Sequence, residues 1–144
     1  MGRMNIARGM LTILAASQGI ATLAIDFNRT HATNPRWPGH ARFHLVWQNI
    51  TVALFAAVEV ALVWWSGPHL DGRFYLAAVM VLIPMLGFLA ALIARNLYGG
   101  TLHDANGIPP LCLSFRGKPL ELDGNAIAVC LGCIFLAVTV LVYR

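Results

Sequence analysis

Residues 74–94 read FYLAAVMVLIPMLGFLAALIA, an unbroken apolar run that contains no charged side chain. A helix of about 20 apolar residues spans the hydrocarbon core of a bilayer, so this stretch predicts a membrane-spanning helix. Comparable runs occupy residues 9–25, 45–65 and 126–143, and Glu59 is the single charged residue within all four. We therefore expect four spanning helices, placed at residues 9–25, 44–66, 73–95 and 126–143.

The composition of the chain agrees with a membrane protein. Of its 144 residues, 58% are hydrophobic and 11% are charged, and the mean hydropathy is +0.69. A soluble domain carries about 25% charged residues, so this chain lacks the polar surface that a water-facing exterior requires. The predicted fold class is all-α: residues 1–144 form a single integral membrane domain, an up-down-up-down four-helix bundle.

The first apolar run also has features of a secretory signal peptide, because Arg3 and Arg8 precede it. However, no clean small-x-small cleavage site precedes Asp26, and three more spans follow, so we expect an uncleaved first helix. Four spans place both termini of a multi-pass protein on the same side of the membrane. The basic residues give only a slight preference for cytoplasmic long loops, which leaves the orientation open.

The net charge of +4 does not indicate nucleic acid as a partner. The basic residues flank the spans, where lipid headgroups attract cations, and they form no patch on a soluble module. The expected partner is therefore the lipid bilayer. The three cysteines are too few for a disulfide framework.

The segment between the first two spans concentrates groups that can carry chemistry. Residues 26–44 read DFNRTHATNPRWPGHARFH and contain three of the five histidines of the chain. Imidazole binds metals and transfers protons near neutral pH, so such a cluster at a membrane boundary indicates a functional site. The catalytic candidates, taken from this segment and the following span, are Asp26, His31, His40, His44 and Glu59. In this hypothesis Asp26 orients an imidazole.

His40 and His44 are four residues apart, which places both rings on one face of a helix. Such a pair can hold one metal ion if a third ligand arrives from elsewhere, and zinc or iron is the cofactor that we would then expect. The metal-ligand candidates are His31, His40, His44 and His103. The alternative is that these histidines only hydrogen-bond the polar ends of the helices.

Glu59 lies well inside the second span, where an ionised side chain exposed to lipid costs at least about 2.5 kcal/mol. We expect it to face the bundle interior, to stay protonated, or to pair. Helical phase predicts a polar seam that runs from His44 past Gln48 towards Glu59. The candidate substrate-binding side chains are Gln18, Asn34, Trp37, Arg42 and Gln48. Either Arg36 or Arg42 can neutralise an anionic headgroup or a developing oxyanion.

The connection between the last two spans has a different pattern. Gly99 and Gly100 predict the end of the third helix. Residues 111–115 and 120–122 are short alternating runs joined by residues 116–119, a pattern that predicts a small hairpin. Two strands alone are marginal in water, so we expect this hairpin to lie over the mouth of the bundle as a lid, with His103 and Asp104 beside it.

The string D-x-N-x-T-H-x-x-N-P-x-W-x-x-H-A-x-F-H, from Asp26 to His44, resembles the first loop of a family of small, largely uncharacterised four-helix membrane proteins. The resemblance implies a coherent site in this segment and no particular reaction. Cys130-x-x-Cys133 in the last span, together with the helix count, resembles the vitamin K epoxide reductases. That resemblance implies dithiol chemistry, but the cysteine pair of the first loop in those enzymes is absent here.

The leading functional hypothesis is a small membrane enzyme that acts on a lipophilic small molecule entering from the bilayer, by metal-assisted or general acid/base chemistry. A non-catalytic ligand-binding or accessory subunit is the alternative. Proton-coupled transport of a small molecule is a further alternative, with Gln18, Gln48 and Glu59 along its path. Since four helices make a thin wall around such a path, transport would favour a homo-oligomer.

Overall fold

The computed structural model describes residues 2–115 and 117–144, and most of this chain is helical. Its four long helices are α1 (Arg3–Asp26), α2 (Gly39–Trp64), α3 (Leu70–Ala94) and α4 (Gly124–Tyr143). All four are long and apolar enough to cross a membrane, so the protein is an all-α, multi-pass membrane protein, as the sequence predicts.

Two helices begin earlier than their apolar runs. α1 begins at Arg3 rather than at residue 9, and the carbonyl of Gly2 accepts hydrogen bonds from the N–H groups of Asn5 and Ile6. α2 begins at Gly39, directly after Pro38, rather than at residue 44. Hydropathy marks the part of a helix that crosses the bilayer, whereas the hydrogen-bonded backbone continues beyond it into the headgroup layer.

α1 and α2 pack against each other in opposite directions. Arg8 Nε near the start of α1 donates to the carbonyl of Val63 near the end of α2, at 2.9 Å. Midway, the backbones approach closely at Gly19, where an added Cβ would lie 2.9 Å from the Cβ of Ala56. Small residues at such a crossing permit tight van der Waals packing, which holds helices together in lipid.

α4 is antiparallel to α3. The ring of Tyr143, the last residue of α4, stacks on Phe74 near the start of α3 with a centroid distance of 3.7 Å. Its hydroxyl donates to Asp71 Oδ1 at 2.7 Å. The helix ends that carry Arg8, Trp64 and Tyr143 therefore share one end of the bundle, which we call the terminal end. The opposite end, where α1 and α3 finish, is the loop end.

The interior is small and the apolar exterior is large. Among the buried apolar residues are Leu11, Val63, Phe74 and Val81, whereas large residues such as Ile93, 84% exposed, point outward. This distribution suits a solvent of acyl chains, in which an outward-facing leucine or isoleucine carries no penalty.

Pro84 interrupts the hydrogen-bond ladder of α3 near its middle. Its missing N–H leaves the carbonyl of Met80 without its usual partner, and the ring disturbs the adjacent turn. Gln18 of α1 reaches across and donates its Nε2 to the neighbouring carbonyl of Val81, at 3.1 Å. A side chain of one helix thus supports the distorted backbone of another, the usual means by which proline is tolerated in spanning helices.

The chain between α3 and α4 contains a short 3-10 helix, Arg95–Leu97, and the predicted hairpin. The glycine stop is also present: Gly99 has a φ of +69°, and the N–H of Gly100 donates to the carbonyl of Arg95. β1 (Leu111–Phe115) pairs antiparallel with β2 (Lys118–Leu122), so the second strand begins at residue 118 rather than 120. Arg116, in the predicted turn, lies outside the described residues.

Candidate functional site

The connection between α1 and α2, residues 27–38, folds on itself at the loop end; we call it the first loop. The N–H of Ala32 donates to the carbonyl of Asp26 at 2.9 Å, and that of Thr33 donates to the carbonyl of Asn28 at 3.0 Å. Pro35 and Pro38 lack N–H donors and disfavour continuous helix through this segment. The first loop is therefore a compact turn structure that can hold side chains in fixed positions.

Asn34 stabilises the first loop from its interior. Its side chain is completely buried, with 0% exposure. Nδ2 donates to the carbonyl of Thr30 at 3.0 Å, and Oδ1 accepts from the N–H of Arg36 at 3.0 Å. Since both polar ends of the amide have partners within the loop, the contacts of Asn34 are those of a structural residue. Its predicted role in binding substrate stays a prediction.

Asp26, the last residue of α1, lies between α2 and the first loop. Asn49 of α2 donates its Nδ2 to Asp26 Oδ2 at 2.9 Å. The other carboxylate oxygen lies 3.8 Å from Nδ1 of His31. The structure thus brings together two of the predicted site residues, Asp26 and His31, as a carboxylate–imidazole pair. Asn49, which is buried, belongs to the same group but is not among the residues that the sequence pattern selects.

The protonation of His31 follows from its hydrogen-bonded neighbours. Asn28 donates Nδ2 to the carbonyl of Ile25 and accepts the N–H of Thr30 at Oδ1, which fixes the orientation of its amide. The Thr30 hydroxyl also contacts this Oδ1, an atom that can only accept, so the hydroxyl is the donor there. Thr30 Oγ1 is then the acceptor for the 2.7 Å contact with His31 Nδ1, which must carry a proton.

A neutral His31 with its proton on Nδ1 has its lone pair on Nε2. The ring is also held by Trp37, whose edge-on contact has a centroid distance of 5.5 Å. The arrangement is therefore chemically suited to accepting a proton at Nε2 and returning it.

His40 and His44 form a separate pair on the first turns of α2. Their Nε2 atoms are 3.0 Å apart and both side chains are exposed, beside Phe43 and Trp47. Within residues 2–115 and 117–144, no three side chains of the types His, Cys, Asp and Glu are arranged to hold a metal ion. The predicted ligand set is thus assembled only as the pair His40 and His44.

His103 lies elsewhere on the loop end, in a cleft of about 330 Å³ between the end of α3 and the base of the hairpin. Arg95, Glu121 and Asp123 line the same cleft, so its character is mixed in charge. The chain after His103 turns at Asp104, whose Oδ1 accepts from the N–H of Asn106 at 2.8 Å. Asn106, rather than His103, lines a space together with residues of the first loop.

A second cavity, of about 460 Å³, opens between the first loop and Asn106. It is lined by Arg29, Thr33, Pro35, Arg36 and Asn106. Arg36 is expected from the sequence as a group that neutralises an anion. Arg29 and Asn106 are not among the predicted site residues. The sequence could have indicated Arg29, because it lies in the polar segment of residues 26–44. We call this space the arginine cavity.

The predicted polar seam along α2 is not continuous. His44 and Gln48 are exposed on the outer surface, whereas Glu59 is buried, with 2% exposure. Gln18 is engaged with the carbonyl of Val81. The buried face of α2 passes through Asn49, Ala56 and Glu59, and His44 lies outside this face.

The two cysteines of the last span are also separately placed. Cys130 is exposed, and the thiol of Cys133 contacts the sulfur of Met85 at 3.7 Å. Both are free cysteines, as is Cys112 of the hairpin.

Comparison with known proteins leaves the site to be interpreted from its own geometry. No protein-family model matches the chain, and neither the curated proteins nor the solved structures give a match.

Proposed function

We propose that this protein is a small membrane enzyme that performs general acid/base chemistry on an amphipathic, lipid-soluble molecule at the loop end. The observation that carries the proposal is the oriented imidazole of His31. Its Nδ1 proton is directed to Thr30 with Asp26 alongside, so that its Nε2 is a proton acceptor. Positioned general bases of this kind accelerate reactions by about 10² to 10⁴-fold.

In the proposed reaction, Nε2 of His31 removes a proton from the substrate, and the electron pair of the broken bond stays on the substrate. The imidazolium then returns the proton to a second atom of the same molecule. Such an isomerisation needs no further reactant. Asp26, held by Asn49, stabilises the imidazolium between the two steps.

The apolar exterior of the bundle supports a substrate that arrives through the bilayer rather than from water. The first loop begins where α1 leaves the membrane, so a polar headgroup can lie at the loop end while acyl chains remain in lipid. The exposed pair His40 and His44 is then a route by which protons exchange with solvent. A metal-assisted version with zinc or iron would need a third ligand for this pair.

A non-catalytic ligand-binding protein is the second candidate. It is favoured by Asn34, which bonds the carbonyl of Thr30 and the N–H of Arg36 and so holds the first loop as a preformed surface. Both candidates use the same site, but only the enzyme converts the bound molecule into a product.

The test compares wild-type protein with His31→Asn and His69→Asn in vesicles of total membrane lipid, incubated in deuterium oxide. His69, at the start of α3, has a φ of +60°, a conformation that asparagine tolerates, so its variant is a matched control. Chromatography with mass spectrometry then follows lipids that change retention or acquire carbon-bound deuterium.

We expect turnover by wild type and by His69→Asn, and a rate lower by about a hundredfold or more for His31→Asn. Thermal unfolding of each variant verifies the fold. Equal rates for wild type and His31→Asn would refute the proposal. Binding of a lipid without any conversion by wild type would favour the ligand-binding candidate instead.

A further inference from the structure

The arginine cavity contains donors of hydrogen bonds and no acid. Its lining residues are Arg29, Thr33, Pro35, Arg36 and Asn106, so the two arginines are its only charged residues among the described parts of the chain. Its volume of about 460 Å³ falls in the range of small-molecule sites, about 300–1,000 Å³. The lining therefore has the polarity of a receptor for an anion.

Neither guanidinium is neutralised by the protein in the described parts of the chain. The contact found there between a basic side chain and a carboxylate joins His31 to Asp26, and it includes neither Arg29 nor Arg36. Two like charges that line one cavity repel each other, and an anion bound between them removes that repulsion. The missing partner is thus a ligand with negative charge.

The number of donors distinguishes among anions. A carboxylate has two oxygens, which one guanidinium can occupy in a bidentate manner. A phosphate group presents three or four oxygens, enough for two guanidinium groups and for the neutral donors of Thr33 and Asn106. Arginine is also the side chain whose planar donors match phosphate geometry best.

The cavity is built by the same loop that orients His31. The N–H of Thr33 donates to the carbonyl of Asn28, and the N–H of Arg36 donates to the amide of Asn34. The hydrogen bonds that fix the imidazole therefore also fix the backbone from which the two arginines extend. The cavity arginines and the proposed base thus belong to one hydrogen-bonded loop.

We propose that the arginine cavity binds a phosphate group, which makes a phosphorylated amphiphile the substrate class of this protein. This inference rests on the proposed function for its catalytic part, and on the cavity alone for binding. The phosphate belongs to a lipid headgroup, since the cavity lies at the end of the spanning helices, or to a soluble phosphate compound. The experiment below separates these sources.

The experiment measures ligand retention by the purified full-length protein in detergent, with native mass spectrometry. The probes are dioleoyl phosphatidate, dioleoylglycerol, which lacks the phosphate, and inorganic phosphate. Arg29→Gln/Arg36→Gln removes both cavity charges. Arg3→Gln/Arg144→Gln makes the same change of net charge with two exposed arginines of the terminal end.

We expect wild type to retain phosphatidate in preference to dioleoylglycerol. Each lost charge-assisted hydrogen bond weakens binding by about tenfold, so Arg29→Gln/Arg36→Gln should raise the apparent Kd for phosphatidate by at least that factor. The terminal-end variant should stay close to wild type. Equal losses in both double variants would indicate general attraction of lipid headgroups to cations and would overturn the inference.

Inorganic phosphate separates the two sources. Weak competition by phosphate, together with strong retention of phosphatidate, assigns the site to a lipid headgroup. Phosphate that binds as tightly as phosphatidate, with the same dependence on Arg29 and Arg36, assigns it to a soluble phosphate. Binding of phosphatidate that is indifferent to both arginines excludes a phosphate site here.

His31→Asn makes the two proposals separable. It should retain phosphatidate as wild type does, because the cavity arginines are unchanged, while it loses turnover. Arginine-dependent binding without any turnover by wild type would refute the proposed function and leave the phosphate site standing. Turnover by wild type, together with binding that does not depend on Arg29 and Arg36, would refute the phosphate site and leave the proposed function standing.

Discussion

At the scale of single residues, the chemistry of the site depends on one proton. The lone pair of His31 is on Nε2 only because Thr30 accepts from Nδ1, and Thr30 accepts only because its own proton goes to Asn28. The side chains of Asn28 and Thr30 thus set the tautomer of the imidazole. Removal of either of them should change which nitrogen carries the proton.

Thr30→Val is the sharpest test of this arrangement, because valine keeps the shape of threonine and removes the acceptor. In wild type, ¹⁵N spectra of His31 should show a protonated Nδ1 and an unprotonated Nε2. In Thr30→Val, the two resonances should move towards each other as the tautomers mix, and the free energy of unfolding should fall by about 1 kcal/mol. Unchanged nitrogen shifts would contradict the assigned direction of these hydrogen bonds.

The sequence reveals such pairings only in part. The cluster of polar residues in the first loop is visible, and it contains Asp26 and His31, which do meet. Asn49 is not visible as their partner, because its contact depends on the register of α1 against α2, over a separation of 23 residues. Likewise, the histidine pattern predicts which rings share a helix face but not that the face of His40 and His44 points outward.

At the scale of elements, the tightest contact is the crossing of α1 and α2 at Gly19. The added Cβ at this position would meet Ala56 Cβ at 2.9 Å and the backbone of Ala53 at 3.4 Å, neither of which is a flexible side-chain end. By contrast, an added Cβ at Gly9 of the same helix meets nothing within 4 Å. The two glycines therefore allow one substitution to be compared in two environments.

Gly19→Ala should destabilise the protein by about 1–3 kcal/mol, since the backbones must separate to admit the methyl group. Gly9→Ala should stabilise it by up to about 1 kcal/mol, because alanine is the better helix former. Unfolding of both variants in mixed micelles measures the difference. A stabilised Gly19→Ala would show that the two helices are not in close contact there.

The helices and the hairpin are predictable because their signals are local. The length of an apolar run by itself decides whether it can span a bilayer. An alternating pair of runs joined by glycine and proline likewise favours a hairpin regardless of the rest of the chain. Element ends are less well predicted, since α1 and α2 extend beyond their apolar runs. The support of the Pro84 turn by Gln18 is a contact between distant elements, which no local pattern encodes.

At the scale of the whole molecule, four antiparallel helices place both termini and the short connection before α3 at one end. The first loop and the hairpin lie at the other end. If all four helices cross the bilayer, residues 69 and 144 must be accessible from one side and residue 33 from the opposite side. The basic residues predict only weakly which side faces the cytoplasm.

Cysteine labelling in sealed vesicles of one orientation tests this arrangement. In a background with Cys112→Ser, Cys130→Ala and Cys133→Ala, the variants His69→Cys and Arg144→Cys should react with an impermeant reagent from the same side. If these two react in intact vesicles, Thr33→Cys should react only after the vesicles are opened. In the opposite orientation, Thr33→Cys should react in intact vesicles and the other two only after opening. Labelling of positions 33 and 69 from the same intact side would contradict the four-span topology.

At the terminal end, Arg8 over the ring of Trp64 joins α1 to α2, and Tyr143 stacked on Phe74 joins α4 to α3. At the loop end, in the described parts of the chain, the one side-chain bond between helices is that of Asn49 to Asp26. Side-chain contacts between helices are thus more numerous at the terminal end, so we expect the helix ends at the loop end to separate first when the bundle unfolds.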